Sequence, residues 1–121
     1  MSTEKTRKCT KSQTELVKQA NSYVMDHIDK HITIRELADL LHVSQTQLKN
    51  SYRCYFGESI YRYIRSRKMR MAADKLMETE LSIMEIAMMF GYENCSKFAA
   101  AFRGELGTSP SDYRKRHKQS A

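Results

Sequence analysis

Apolar residues recur along this chain at three- and four-residue intervals, and nowhere do they alternate strictly with polar ones. Leu16, Ala20, Tyr23, Val24 and Ile28 form one such stripe, and Ile34, Leu37, Ala38 and Leu41 form a second. Spacing of this kind puts the apolar side chains on one face of an α-helix, whereas a half-buried strand needs a period of two. Starts are marked by residues whose side-chain oxygen can accept a hydrogen bond from the free amides of a first helical turn. Reciprocal capping boxes are expected at Ser12/Glu15, Thr33/Glu36, Ser44/Gln47 and Ser82/Glu85. Ser59, Asn94 and Ser109 are further N-caps, the last followed by Pro110 at a first helical position. These signals predict seven helices, near 13–29, 34–41, 45–55, 60–78, 83–90, 95–105 and 110–117. The fold class is all-α.

Shifted against itself by 49 or 50 residues, the chain aligns with its own second half. Thr33-Ile34-Arg35-Glu36-Leu37-Ala38 matches Ser82-Ile83-Met84-Glu85-Ile86-Ala87, and Leu48, Tyr52, Gly57, Ser59 and Tyr63 match Phe98, Phe102, Gly107, Ser109 and Tyr113. Caps, core positions and glycine stops all repeat, so one supersecondary unit is used twice. Each copy reads as helix, tight turn, helix. Ala38 and Ala87 fall where two steeply crossing helices need a small side chain. Gly91 suits a turn residue with positive φ, and His42 is its counterpart in the first copy. The expected organisation is a flexible basic arm (1–11), a first helix-turn-helix subdomain (12–58), a linker helix (59–78), a second subdomain (79–117) and a tail (118–121).

Charge narrows the partner. Among 121 residues there are 21 Lys and Arg against 14 Asp and Glu, a net charge of +7, which favours a polyanion because cations near phosphates release condensed counterions. Seven basic residues (Lys49, Arg53, Arg62, Arg65, Arg67, Lys68, Arg70) face one acid, Glu58, between Ser44 and Arg70. The segment Arg114–Lys118 is either a source of non-specific affinity or a frayed end. Cys9, Cys54 and Cys95 are odd in number and widely spaced, so neither a zinc site nor a disulfide framework is expected, and reduced thiols fit best. His27, His31, His42 and His117 share no ligand spacing. No nucleophile, base and orienting group converge, and no glycine-rich phosphate loop occurs. The chain is thus expected to be no enzyme and to need no cofactor or metal. No apolar run is long enough to span a bilayer. Met84, Met88 and Met89 are expected in the core of their helix.

These residues resemble the DNA-binding domain of AraC/XylS-type regulators. The likeness runs from about residue 12 to 116. It is carried by Ile34–Tyr63 and most specifically by Leu81-Ser82-Ile83, Gly91-Tyr92, Phe98, Phe102 and Ser109-Pro110-Ser111-Asp112-Tyr113-Arg114. Tyr63–Met69 is similar to the linker of the short MarA-like stand-alone activators. The resemblance implies two helix-turn-helix subdomains joined by a long helix. It further implies monomeric binding to two adjacent major-groove segments of double-stranded DNA, contact with RNA polymerase, and a bacterial, cytoplasmic, nucleoid-associated protein.

With Leu48 and Tyr52 facing the core, the first recognition helix (45–55) exposes Gln45, Thr46, Lys49, Asn50 and Arg53. Matching the family motif puts base contacts at Thr46, Lys49 and Asn50, and backbone contacts at Gln45 and Arg53. Lys reads guanine acceptors and Asn pairs with adenine through two hydrogen bonds. The second (95–105), with Phe98 and Phe102 inward, offers Asn94, Cys95, Ser96, Lys97, Ala99, Ala100 and Arg103. Its motif-matched reading positions are Cys95, Ser96, Lys97 and Ala100. With Ala99-Ala100-Ala101 where long polar side chains would be needed, this helix suits docking by phosphates and shape rather than base reading. Two alternatives stand beside this reading: a protein-interaction module that has lost DNA binding, and the DNA-binding fragment of a longer effector-responsive regulator. Met1 and the polar residues after it favour a stand-alone activator controlled by its abundance, and no effector pocket is expected in subdomains this small.

Overall fold

The computed structural model describes residues 9–120, with side chains up to His117. Residues 1–8 of the expected arm and Ala121 of the tail lie outside that range. The described residues form seven helices and no strand: α1 Lys11–Asp26, α2 Ile34–Leu40, α3 Gln45–Phe56, α4 Ile60–Glu78, α5 Ile83–Met89, α6 Cys95–Leu106 and α7 Pro110–Ser120. The chain divides into two units. One takes the chain up to His27 and again Ile32–Ile64; the other takes Ile28–His31 and everything from Arg65.

Local chemistry sets the helix starts. Thr33 and Ser82 each accept a bond from the amide three residues on, and Glu36 and Glu85 bond back, completing both boxes. At Glu85 the bonds from Ser82 hold the carboxyl below its ordinary range. Ser59 and Ser109 cap α4 and α7 through the amides of Arg62 and Asp112. Two starts differ from expectation. The capping box of α1 is Thr10/Gln13, not Ser12/Glu15, with bonds of 2.9 and 3.0 Å. A T-x-x-Q box does the same work two residues earlier, so Lys11 belongs to the helix and not to an arm. Ser44 caps α3 through the Gln47 amide, but no reciprocal bond returns from Gln47.

The first unit packs α1 and α2 against α3. Its core holds Leu16, Val17, Ala20, Val24, Ile34, Leu37, Ala38, Leu48, Tyr52 and Ile60. Ile28, expected on the α1 stripe, falls beyond the end of that helix and packs instead on the second core. That second core comprises Met69, Ala72, Ala73 and Leu76 of α4 with Ile86, Ala87, Phe90, Phe98 and Phe102. Met84 and Met88 do not join it. They are 48% and 63% exposed, because the buried stripe of α5 runs through Ile86, Ala87 and Phe90 and they lie on the other side. Their repeat partners are the polar Arg35 and Asp39, whereas Met89 does pack against the core.

Both helix-turn-helix turns are the same motif. After α2, the His42 amide bonds to Asp39 O and the Val43 amide to Ala38 O; after α5, Gly91 bonds to Met88 O and Tyr92 to Ala87 O. This paired closure requires a residue with positive φ, met by His42 at +59° and Gly91 at +84°. Only Gly91 carries a second constraint. A Cβ there would lie 3.2–3.3 Å from the backbone of Asp29, Lys30 and His31. Gly91→Ala is therefore expected to destabilise the second unit by about 2 kcal/mol, while His42→Gly stays neutral or gains up to about 1 kcal/mol. Thermal unfolding of the two variants checks the contrast.

Tyr52 is fully buried, its hydroxyl finds no partner among the described residues, and burial, aided by Tyr63, raises its pKa well above the usual range. The repeat supplies the alternative, since Phe102 occupies the matching position. Tyr52→Phe keeps the ring packing and removes a buried polar atom, so stability should rise by up to about 1 kcal/mol. Denaturant titration measures it.

Candidate nucleic-acid interface

A helix that buries Leu48, Ser51 and Tyr52 must present its other side outward. On α3 that side carries Gln45, Thr46, Lys49, Asn50 and Arg53, all exposed. Gln47 joins them. The sequence predicts its side chain in a capping box, but with no return bond to Ser44 it stands exposed in the first turn. Ser51, at the buried edge, turns its hydroxyl back to Gln47 O at 2.8 Å and leaves no orphan. Six polar side chains thus share the exposed surface of one 12-residue helix. They combine amide donors and acceptors, a hydroxyl and two cations, the groups that base edges and phosphates require.

The corresponding helix α6 buries Phe98 and Phe102, with Ala99 and Ala101 half-buried beside them. Ser96, Lys97, Ala100 and Arg103 are exposed. Asn94 spends its side-chain oxygen on the Lys97 amide at 2.9 Å as the N-cap. Cys95 is half-buried, with its thiol 3.8 Å from the Met84 thioether. Gly104 was not anticipated. It stands exposed one turn beyond Ala100, and a Cβ there would meet nothing within 4 Å. No packing reason keeps a glycine at this position, although glycine inside a helix costs about 0.5–1 kcal/mol relative to alanine. The signal was its i+4 relation to Ala100, visible in the sequence.

The basic stretch resolves into two groups. Lys68 is buried, and its ammonium donates to Lys30 O at 3.0 Å. Desolvation pushes its pKa down while the Asp29 carboxylate works in the opposite sense. Its place could have been read from the stripe Lys68, Ala72, Leu76, a run of i+4 steps. Arg70 lies 3.7 Å from Glu105, and Arg62 lies 3.6 Å from Glu58. Arg114 is neither frayed nor offered outward. It donates to Leu76 O and Thr79 O at 3.0 and 3.2 Å, satisfying carbonyls at the end of α4. Lys49, Arg53, Arg65 and Arg67 remain exposed, with no carboxylate paired to them among the described residues.

The cysteines depart from expectation. Cys9 and Cys54 are disulfide-bonded, with Cα atoms 5.8 Å apart. Wide sequence separation hid them, because the packing of α1 on α3 closes that distance. An open groove of about 400 Å³ also lies in the first unit, lined by Val17, Asn21, Met25, Tyr55, Phe56 and Tyr63 among others. No helix among the described residues is long and apolar enough to cross a membrane.

Comparison with known proteins agrees with this architecture. The family model described as a helix-turn-helix domain matches residues 37–116. The regulatory protein SoxS of Salmonella typhimurium is 32% identical over 105 residues, covering 87% of this chain and 98% of that protein. The xylose operon regulatory protein of Escherichia coli K12 is 33% identical over 96 residues, covering 79% of this chain. The chain spans about a quarter (24%) of that relative's length. Among solved structures, the C-terminal domain of AraT, a response regulator from Geobacillus stearothermophilus, superposes with a TM-score of 0.82 at 30% identity, covering 90% of this chain and 88% of that one. The chain belongs to the AraC/XylS-type helix-turn-helix family of DNA-binding transcription regulators.

Proposed function

We propose that the chain binds, as a monomer, two adjacent major-groove segments of a duplex, with α3 reading bases and α6 docking through phosphates and shape. The observation that carries this reading is the unequal chemistry of two faces built on one repeated unit. On α3, Thr46, Lys49 and Asn50 are assigned to bases, with Gln47 beside them and Gln45 and Arg53 at the backbone. A bidentate Asn–adenine or a Lys–guanine contact is worth about 1–3 kcal/mol of discrimination. On α6, Ala100 and Gly104 offer no polar group beyond the backbone. Alanine can touch a thymine methyl, and glycine lets a sugar–phosphate strand come close. Lys97 and Arg103 then supply charge without sequence information, and Ser96 a single short hydroxyl. Cys95 and Asn94 are engaged within the protein and contribute position at most.

The family resemblance adds activation through RNA polymerase at a promoter, and the DNA partner puts the protein beside the bacterial nucleoid, in the cytoplasm. Interference mapping on a bound duplex tests the two-helix reading. Phosphate ethylation should interfere in two blocks about one helical turn, roughly 10 base pairs, apart, and base methylation strongly in only one. Equal base interference in both blocks would overturn the division of labour.

Point variants sharpen the same reading. Lys49→Ala and Asn50→Ala should each weaken binding about 5- to 150-fold and relax preference at one base pair. Lys97→Ala and Arg103→Ala should weaken every duplex alike and lower the salt slope by about 1. Fluorescence anisotropy against a panel of single-base variants separates the two behaviours.

Gly104→Ala divides stability from binding. It should raise stability by about 0.5–1 kcal/mol while weakening duplex binding, because the added methyl meets the strand that glycine admits. Unchanged affinity in the more stable variant would remove close strand approach from the account.

A further inference from the structure

Two observations place a reactive pair beside the DNA-reading helix. Cys9 immediately precedes Thr10, the N-cap of α1, and Cys54 lies on α3 next to Arg53, one helical turn beyond Asn50. Their Cα atoms stand 5.8 Å apart, inside the range that a disulfide spans without backbone movement. The Thr10/Gln13 box and the packing of α1 on α3 hold both residues in place independently of any bond between them. The thiols of the reduced chain therefore remain within reach of one another. Both side chains are half-buried rather than sealed, so a small reagent has access. Cys95, the free cysteine, belongs to the other unit.

We infer that Cys9 and Cys54 form a thiol–disulfide exchange site, whose co-reactant is a low-molecular-weight disulfide and whose state sets how tightly the chain holds DNA. The inference rests on the proposed reading of α3 as the base-reading helix. Disulfides are rare where regulators meet DNA in a reducing cytoplasm, and those that form there are typically transient and sensory. The chemistry balances in two displacements. One cysteine thiolate attacks a sulfur of the small disulfide, forming a mixed disulfide and releasing one small thiolate. The second cysteine thiolate then attacks the protein sulfur of that mixed disulfide and displaces the other small thiolate. Two protein thiols give up two electrons and two protons, and one small disulfide becomes two small thiols.

The consequence follows from position and chain closure. The bond joins the start of α1 to α3 one residue from Arg53 and one helical turn from Asn50, and a binding face already held in place has less ordering cost to meet on contact. The bond also closes a loop with a sequence separation of 45 within the first unit, which restrains the unfolded chain.

The test uses the full chain treated with oxidised glutathione and then with excess dithiothreitol. Peptide mapping by mass spectrometry is expected to find Cys9 linked to Cys54. The oxidised chain should melt about 5–10 °C higher. It should bind its duplex about 5- to 10-fold tighter, with the salt slope unchanged. Dithiothreitol should reverse all three changes, and Cys9→Ser and Cys54→Ser should abolish them. Absence of the linked peptide, or a linked chain with the affinity of the reduced one, overturns the inference. Linkage and melting are read without DNA. A reduced chain that binds no duplex therefore counts against the reading of α3 while the exchange site is still decided on its own.

Discussion

Two hydrogen bonds and one positive φ, repeated at His42 and Gly91, govern what the rest of this structure can do. Each pair of bonds ends a short helix and turns the chain so that the next helix begins within a few residues. If the chain left α2 or α5 along another path, the caps at Ser44 and Asn94 would no longer start helices whose inner faces meet Leu37 and Ala38, or Ile86 and Ala87. The small side chains at Ala38 and Ala87 serve the same end, allowing close passage of the crossing helix. The exposed faces of α3 and α6 are thus fixed by backbone chemistry before any side chain on them is chosen. That separation leaves the exposed positions of α3 and α6 open to change without disturbing the fold.

The two copies have used that freedom differently. In the first, the outer face of the second helix is amide, hydroxyl and cation; in the second, Ala100 and Gly104 stand beside Ser96, Lys97 and Arg103, with no exposed amide among them. Cores diverge less: Leu48 and Tyr52 are answered by Phe98 and Phe102, and the caps by residues of equivalent chemistry. A single continuous helix, α4, serves both units, giving Ile60 to one core and Met69, Ala72, Ala73 and Leu76 to the other. Its cations are divided as well. Lys68 is consumed by packing, Arg70 and Arg62 face carboxylates, and Arg65 and Arg67 stay exposed. A count of basic residues therefore overstates what a phosphate strand meets.

Much of the fold was legible because its signals are local. A cap, an apolar stripe and a stop sit within one helix, so the ranges of α2 to α6 follow from the sequence within a residue. The exposed sides of α3 and α6 follow from the same periodicity. What could not be read depends on distant parts of the chain. Ile28 and Lys68 are placed by elements far from them in sequence, and so is the approach of Cys9 to Cys54. The role of Arg114 is not legible because its acceptors, Leu76 O in the last turn of α4 and Thr79 O just past its end, lie 35 or more residues away. Two misplacements were local. Two capping boxes competed at the start of α1, and the methionines of α5 were assigned to the core by residue type when the phase of Ile86, Ala87 and Phe90 already put Met84 and Met88 outside.

In the proposed reading one repeated unit performs two tasks, specifying with α3 and docking with α6. Selection of bound duplexes from a randomised pool at physiological salt, followed by sequencing, tests it most directly. One well-defined block of preferred bases is expected, flanked about one helical turn away by a segment with little preference beyond thymine or groove shape. Two equally sharp blocks would contradict it, because Ser96, Lys97 and Arg103 of α6 would then read bases rather than dock on phosphates.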